Sequence, residues 1–406
     1  MSAIASYRAL LRIVGPAYIV VAFLGRIPLA MSQIGTLVLV STVTDSYGLG
    51  GAAAGVLAVA NAIGSPLAGA LADRIGQRPV VLVQSIAGAL GLAGIVVVTS
   101  DRFGSMPAIL AMAAITGFAI PQVGPLARVR WRPITSEEDD QRRLVDAAFS
   151  YEGSADEASF VLGPALIGVL AIVAEPAGAM LAAAVLLAVF GTWFALHPTS
   201  DLVARRTTRD GIGAGAVWTI AFVVLVIAQF CIGAIFGSLQ TGSTVLARAD
   251  GQAGLVGLIH ATLGIGSVIA GLAITALPER ILYATRMLVA ALALLVLSAP
   301  LLLVDSVASL IGVIALLGFA VAPYMISNFA LAGILVPLHR VGTAMTLLAG
   351  ATGVGYALGA SIAGRLADDD GHTAAFAVTV GAAGLAVLLA VTANRALRDA
   401  IPYVAD

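Results

Sequence analysis

Apolar stretches of about 20 residues or more, each cut off by charges or by clusters of Gly, Pro and Asp, follow one another through almost the whole chain. They fall at about 17–43, 51–70, 79–99, 106–127, 146–174 and 176–196, then at about 214–246, 252–277, 281–303, 307–335, 341–367 and 373–393. A helix needs roughly 20 apolar residues to cross a bilayer, so the pattern predicts twelve transmembrane helices. A soluble globule is excluded: 60% of residues are hydrophobic and 11% charged, whereas an ordinary water-soluble domain is about 25% charged. Long alternating strands, the mark of a membrane barrel, are absent. The expected class is an all-α membrane protein.

Several chemistries are excluded by what the chain lacks. Its 21 basic residues are all arginine, which removes a P-loop lysine and any Schiff-base lysine. A single cysteine, Cys231, allows neither an intrachain disulfide nor a cysteine-cluster metal site. No His-Glu-x-x-His or Gly-x-Ser-x-Gly pattern is present, so no enzyme, metal site or cofactor is expected. A net charge of -1 does not suggest a nucleic-acid partner. The N-terminal apolar stretch is too long for a cleaved signal peptide and is read as the first membrane helix.

Arginine placement sets the orientation, because cytoplasmic loops retain positive charge. With the N-terminus inside, 17 arginines fall in cytoplasmic segments, among them Arg8, Arg12, Arg74, Arg78, Arg128, Arg130, Arg132, Arg205, Arg206, Arg209, Arg286 and Arg340. Three fall outside: Arg102, Arg248 and Arg365. Both termini are therefore expected on the cytoplasmic side of a bacterial-type inner membrane.

The halves also echo each other, the trace of a duplicated transporter fold. Gly64, Ser65, Ala68 and Gly69 recur 202 residues later as Gly266, Ser267, Ala270 and Gly271. Leu162, Gly163, Gly168 and Leu170 recur 196 residues later as Leu358, Gly359, Gly364 and Leu366. The expected organisation is a six-helix bundle over 1–196, a cytoplasmic linker over 197–213 and a second six-helix bundle over 214–406.

After the second span the chain reads Gly69-Ala70-Leu71-Ala72-Asp73-Arg74-Ile75-Gly76-Gln77-Arg78. This closely resembles the signature of the major facilitator superfamily between helices two and three, with Gln77 where a basic residue is usual. Glycine at 69 permits close helix packing, and Gly76 a tight turn. The resemblance implies that Asp73 packs against the start of span eleven, near Gly342 and Thr343, where a helix N-terminus carries partial positive charge. It would latch the cytoplasmic side, with Arg74 and Arg78 pairing with acidic groups or lipid head groups.

Span five carries Gly163-Pro164 followed by Gly168. It resembles the Gly-Pro motif in fifth helices of exporters of the superfamily, with a differently spaced second glycine. Proline kinks the helix, and small residues would let it approach a helix of the other half. The arginine-containing pattern usual in span four is missing from Ala113 to Gly117. The run from Asp156 to Pro164 is similar to that of a group of bacterial members with a paired acid before the Gly-Pro.

Arg26 lies 14 residues after Arg12 and 19 before Asp45, well inside the bilayer. A lone arginine there costs at least about 3 kcal/mol on insertion scales, so it requires a partner inside the bundle. The candidate acids are Glu152, Asp156 and Glu157. Glu157 follows Arg143 by 14 residues, a rise of about 21 Å, matching Arg12 to Arg26. Asp156 or Glu157 is expected to pair with Arg26 and to exchange a proton during transport, breaking and remaking the pair.

Other intramembrane polar groups, Gln33, Asn61, Gln122, Gln229, Gln240, His260, Tyr324 and Asn328, are candidates for a central cavity. Trp131, Trp193 and Trp218 suit interfacial positions. Glu137 to Asp140 and Asp368 to Asp370 read as solvated turns. The expected function is secondary active transport by alternating access, with proton-coupled export of a small amphipathic or drug-like molecule. Sugar or polar-metabolite transport is the alternative within transport, and a transporter-like sensor or passive channel the alternative outside it. The partners expected are the solute, protons and the lipid bilayer, with the monomer as the working unit.

Overall fold

In lipid every backbone polar group must be satisfied within the chain, and the apolar stretches meet that demand as helices. The computed structural model describes residues 3–100, 105–203, 217–252, 255–278 and 280–399. Arg102, Arg205, Arg206, Arg209 and most of the expected 197–213 linker lie outside the described residues. The long elements are α1 (Ala3–Thr44), α2 (Tyr47–Ile75), α3 (Gln77–Val98), α4 (Met106–Ala119), α5 (Val123–Ile134) and α6 (Gln141–Leu186). A π turn at Leu187–Gly191 joins α6 to the short α7 (Thr192–Leu196). Then come α8 (Ile220–Ala249), α9 (Val256–Ala273), α10 (Tyr283–Ser298), α11 (Val307–Leu335) and α12 (Val341–Asp399). No strand occurs among the described residues.

Ten helical runs among the described residues are long and apolar enough to cross a membrane, against twelve stretches expected. Two of them span 56 and 61 residues, more than double what one crossing requires. Each contains non-helical backbone. In α6 it is Ala174 and Glu175, at the expected junction before Pro176. In α12 it is Gly371, whose positive φ of 72° ends one helical segment and starts the next.

Span four departs from the expectation. The sequence predicts 106–127 followed by a loop, but the run continues as Met106–Ile134, broken between Ala119 and Val123. Arg128 and Arg130 are therefore on α5, 1% and 0% exposed. The broken backbone leaves the Gly117 and Ile120 carbonyls for the Asn61 amide nitrogen, which donates to both at 2.9 Å. A side chain thus replaces the missing helical donors.

The largest buried apolar cluster draws mainly on α8 to α12, including Phe222, Ile232, Leu294, Leu317 and Phe376. Separate clusters around Met31, Leu92 and Met180 and around Tyr18, Trp131 and Phe194 belong to α1 to α7. Glycines set the closest crossings. Gly64 of α2 lies on the backbone of Phe118 in α4, and Gly266 of α9 lies on the backbone of Ala315 and Gly318 in α11. The two members of the sequence repeat thus make equivalent contacts.

The N-terminal helices meet the C-terminal ones through polar contacts gathered at one end. They include Asp73 with Gly342 and Thr343, the Tyr7 hydroxyl donating to the Leu272 carbonyl, Arg286 with Asp146, and the Ser154 hydroxyl donating to the Val268 carbonyl. Asp73, Tyr7, Leu272, Asp146 and Arg286 lie toward the end of the molecule at which α1 begins and α2 terminates, and the Ser154–Val268 contact lies farther in, beside the acids that hold Arg26.

Candidate functional site

Above this closed end lies a cavity of about 520 Å³ between the two sets of helices, within the range that holds drug-sized ligands. Gln33, Asn61, Gln122, Gln229, Gln240 and His260 line it, together with Arg26, Asp156 and Glu157. Apolar groups such as Phe160, Phe236, Met325 and Phe329 form much of the remaining wall. Gln122 donates to the Asn61 side-chain oxygen at 2.7 Å, and the Tyr356 hydroxyl bonds the Gln240 side-chain oxygen. Tyr324 and Asn328 are not in the wall, which corrects the expectation for both. They lie four residues apart on one face of α11 that is turned to α8. Tyr324 donates to the Ala228 carbonyl at 3.1 Å; Asn328 donates to the Leu225 carbonyl at 3.0 Å and to Gln229 at 2.7 Å.

Arg26 is 3% exposed and four of its contacts fix it in place. Its Nε donates to the Ala22 carbonyl at 3.0 Å. Nη1 donates to Asp156 Oδ1 at 3.0 Å and to the Glu152 carbonyl at 3.2 Å, and Nη2 meets Glu152 Oε2 at 2.5 Å. The other Glu152 oxygen accepts from the Trp131 indole at 2.7 Å. Asp156 Oδ2 accepts from Arg128 Nη1 at 2.7 Å. Glu152 and Asp156, four apart on α6, share the face that meets α1, so Arg26 bridges both.

Sequence reasoning expected Asp156 or Glu157 opposite Arg26. Glu157 is not the partner, because one residue along a helix turns the side chain by about 100°. It faces the cavity beside Ser267 of α9 and makes no ion pair within 4 Å among the described residues. Glu152, expected as a third candidate acid, is the most deeply buried of the three. Two members of the network were not anticipated. Trp131, expected at an interface, is 0% exposed, whereas Trp193 and Trp218 are exposed. Arg128, expected in a loop, lies over the Phe329 ring at 4.3 Å, a cation–π contact from α5 to α11.

Arg130 points to the other side of α5. Its Nε donates to Gln77 Oε1 at 2.9 Å, and Nη1 donates to the Phe194 carbonyl at 2.9 Å and to Thr199 at 3.0 Å. Gln77 is 1% exposed and also donates to the Leu126 carbonyl at 3.2 Å. This accounts for the absence of a basic residue at 77: a cation there would face Arg130.

At the closed end Asp73 is buried. Oδ1 accepts from the Gly342 amide at 3.0 Å, and Oδ2 accepts from the Thr343 amide at 2.7 Å and its hydroxyl at 2.6 Å. The carboxylate caps the first turn of α12, where unpaired amides and the helix dipole favour an anion. Gly69 lies against the Gly342 carbonyl and Thr346, where a side chain would collide. Gly76, with φ 97°, makes the turn into α3. Arg78 pairs with Asp201 at 3.3 Å on the surface, and Arg74 is exposed.

Gly163 of α6 packs on Ala30 and Met31 of α1, rather than on a C-terminal helix as expected, and Gly168 faces open space. Pro164 borders the cavity. The close approach of α6 to α9 is instead supplied from α9, where Gly264 receives Val161 and Gly271 receives Ser154. No group of three or more potential metal ligands occurs among the described residues.

The family model described as the Major Facilitator Superfamily matches residues 22–304. Solved structures with the same fold include the human organic anion transporter MFSD10 (TETRAN), 20% identical, with a TM-score of 0.73, covering 93% of this chain and 99% of that one. Another is a bacterial homologue of the iron transporter ferroportin in an outward-facing state, 14% identical, TM-score 0.72, covering 93% and 98%. A third is the Escherichia coli fucose:proton symporter, 15% identical, TM-score 0.66, covering 93% and 97%. Comparison with curated proteins finds no match. At these identities the structures establish a shared fold. With its family model covering most of the chain and its helices superposing on those of these transporters, the protein belongs to the Major Facilitator Superfamily.

Proposed function

We propose that this protein is a secondary active transporter that exports a small amphipathic molecule in exchange for protons by alternating access. Twelve crossings, six in each of two bundles over 1–196 and 214–406, give it the rocking architecture, with the breaks at Ala174–Glu175 and Gly371 each separating two crossings. Both termini and the Asp73 latch then face the cytoplasm of a bacterial-type inner membrane, and the monomer is sufficient.

The observation that carries the reading is the position of the ionised network. Arg26, Asp156 and Glu157 line the same cavity that the latch closes at one end. A proton gained or lost by a carboxylate on α6 alters the charge balance near where α6 meets α9 of the other bundle, the two helices that must part when the closed end opens. Proton occupancy and helix position are thereby linked. A largely apolar wall with a few convergent polar groups suits an amphipathic solute better than a sugar, which needs a denser array of hydrogen-bonding groups.

The test is reconstitution into vesicles with an imposed pH gradient, followed by a screen across cationic, anionic and neutral solutes. The expected result is movement of a solute against its own gradient, with altered pH dependence in Asp156→Asn or Glu157→Gln. Downhill flux alone would reject coupling, and unchanged pH dependence in both variants would remove these carboxylates as carriers.

A further inference from the structure

The charges around the cavity do not balance. Arg26 and Arg128 stand against Glu152, Asp156 and Glu157. Glu152 has both oxygens engaged, one by Arg26 and one by Trp131. Asp156 has both engaged by the two arginines. Each arginine thus already has a carboxylate, and Glu157 is the acid left over. Arg130, which has no carboxylate of its own, does not pair with Glu157 either, because its Nε and Nη1 bond Gln77, Phe194 and Thr199 on the far face of α5. The sequence has no lysine to take that place.

A buried carboxylate without a cation is costly in a low-dielectric wall. It is relieved by a proton or by a cation brought from outside. The groups facing Glu157 permit both. On its own helix the Asp156 carboxylate is adjacent and is held by Arg26 and Arg128; from α5 Arg128 acts on Glu157 through space, but its Nη1 bonds Asp156 and it lies over Phe329, with Nε and Nη2 unbonded; from α1 Arg26 is saturated by Glu152 and Asp156. From α9 come Ser267 and, farther along the cavity wall, His260. The His260 Nδ1 lies 2.8 Å from the Val256 carbonyl, so an Nδ1 proton is committed there. Phe160, Phe236 and Met325 supply apolar and aromatic surface for the body of such a ligand.

We infer that Glu157 is the counter-ion for the transported solute, that the solute is a monovalent organic cation with an apolar body, and that proton and solute compete for this one carboxylate. Exchange follows without further machinery, since neither ligand is held while the other occupies the site. The inference rests on the transporter reading above and narrows it to a substrate class.

The probes are tetraphenylphosphonium and tetraphenylborate, ions of nearly the same shape and opposite charge, with equilibrium binding measured on the purified full chain in detergent. Tetraphenylphosphonium is expected to bind saturably near about pH 8 and about tenfold or more weaker near about pH 5.5, as a proton takes the carboxylate. In weakly buffered solution, at a pH where Glu157 is partly protonated, its binding releases protons. Glu157→Gln is expected to lose affinity about tenfold or more and to release none, while Glu157→Asp retains part of both. Size-exclusion profile and unfolding temperature of Glu157→Gln separate loss of binding from loss of fold. Should Glu157→Gln unfold, the Glu157→Asp pH profile and the proton release of the native chain decide the matter alone. Equal or tighter binding of tetraphenylborate, absence of saturable tetraphenylphosphonium binding, or an unchanged pH profile in a folded Glu157→Gln overturns the inference. Gradient-driven movement of a neutral or anionic solute without tetraphenylphosphonium binding would refute this inference and leave the transporter reading standing. Glu157-dependent cation binding with downhill flux alone would do the reverse.

Discussion

Arg26 on α1 and Asp156 on α6 meet at 3.0 Å although 130 residues separate them in the chain. Helix α1 crosses α6 closely because Gly163 of α6 admits the backbone of Ala30 and Met31. The same crossing brings Glu152 to the guanidinium, so one arginine holds two acids one helical turn apart. Removing it strands buried charge. Arg26→Met is expected to cost about 3–5 kcal/mol of stability, read as a lowered unfolding midpoint in detergent. Glu152→Gln should cost less when added to Arg26→Met than when made alone, giving a coupling of about 0.5–3 kcal/mol in the double-mutant cycle. Strict additivity of the two substitutions would show that the pair is not energetically linked.

Asp73 spans the two sets of helices by accepting three hydrogen bonds from the first turn of α12. Asp73→Asn removes the charge that complements the α12 dipole and turns one acceptor into a donor facing donors. A loss of about 1–3 kcal/mol shifts a two-state equilibrium roughly 5- to 150-fold toward the open arrangement of this end. Ser154, buried where α6 meets α9, reports that shift when replaced by Cys in a Cys231→Ser background. Its maleimide labelling from the Asp73 side should rise at least about fivefold in Asp73→Asn. An unchanged rate would mean that other contacts keep the end closed unaided.

Gln77 shows how a departure from a familiar pattern can be structural. It is buried and accepts from Arg130, so Gln77→Arg would set two guanidinium groups together without a carboxylate. The expected cost is about 3–5 kcal/mol, similar to leaving a buried charge uncompensated. Arg130→Gln added to Gln77→Arg should recover part of it by restoring one cation and one neutral partner. Equal stability of Gln77→Arg and the native chain would overturn this account.

What was legible in the sequence followed from periodicity and cost. Long apolar runs announced the helices because lipid leaves the backbone no other solution, and an arginine inside such a run announced a buried partner because its isolation is expensive. The contact of Asp73 with Gly342 and Thr343 was legible only through the resemblance of the 69–78 stretch to the superfamily signature; the attraction of a carboxylate to a helix N-terminus explains the contact but does not choose the helix. What stayed hidden was direction around the helix axis. Spacing placed Glu157 at the depth of Arg26, but whether a given face looks to α1 or to the cavity depends on how α6 is rotated against its neighbours. The break after Ala119 was equally illegible: three arginines in five residues read as a loop, while the tertiary structure buries two of them in α5 against Asp156, Phe329, Phe194 and Gln77. Tyr324 and Asn328 read as cavity groups for the same reason, a polar residue in an apolar helix having two possible audiences.

His197 tests the electrostatics just beyond the membrane-spanning segment. Burial against Tyr18, whose ring lies 5.2 Å away, and the nearby Arg130 charge both lower its pKa below the ordinary value of 6.5. A histidine with a depressed folded-state pKa binds fewer protons when folded than when unfolded, so stability rises with pH across that window. The contribution is intact above about pH 6.5, falls away as pH drops through that value, and reaches its limit below the folded-state pKa. His197→Gln keeps a side chain able to accept from the Thr199 amide, as Nδ1 does at 3.4 Å, but cannot titrate. The drop in unfolding temperature between about pH 7.5 and about pH 5.5 should therefore be smaller in His197→Gln than in the native chain. An identical drop in both would place the acid sensitivity elsewhere and show that Arg130 does not reach the imidazole.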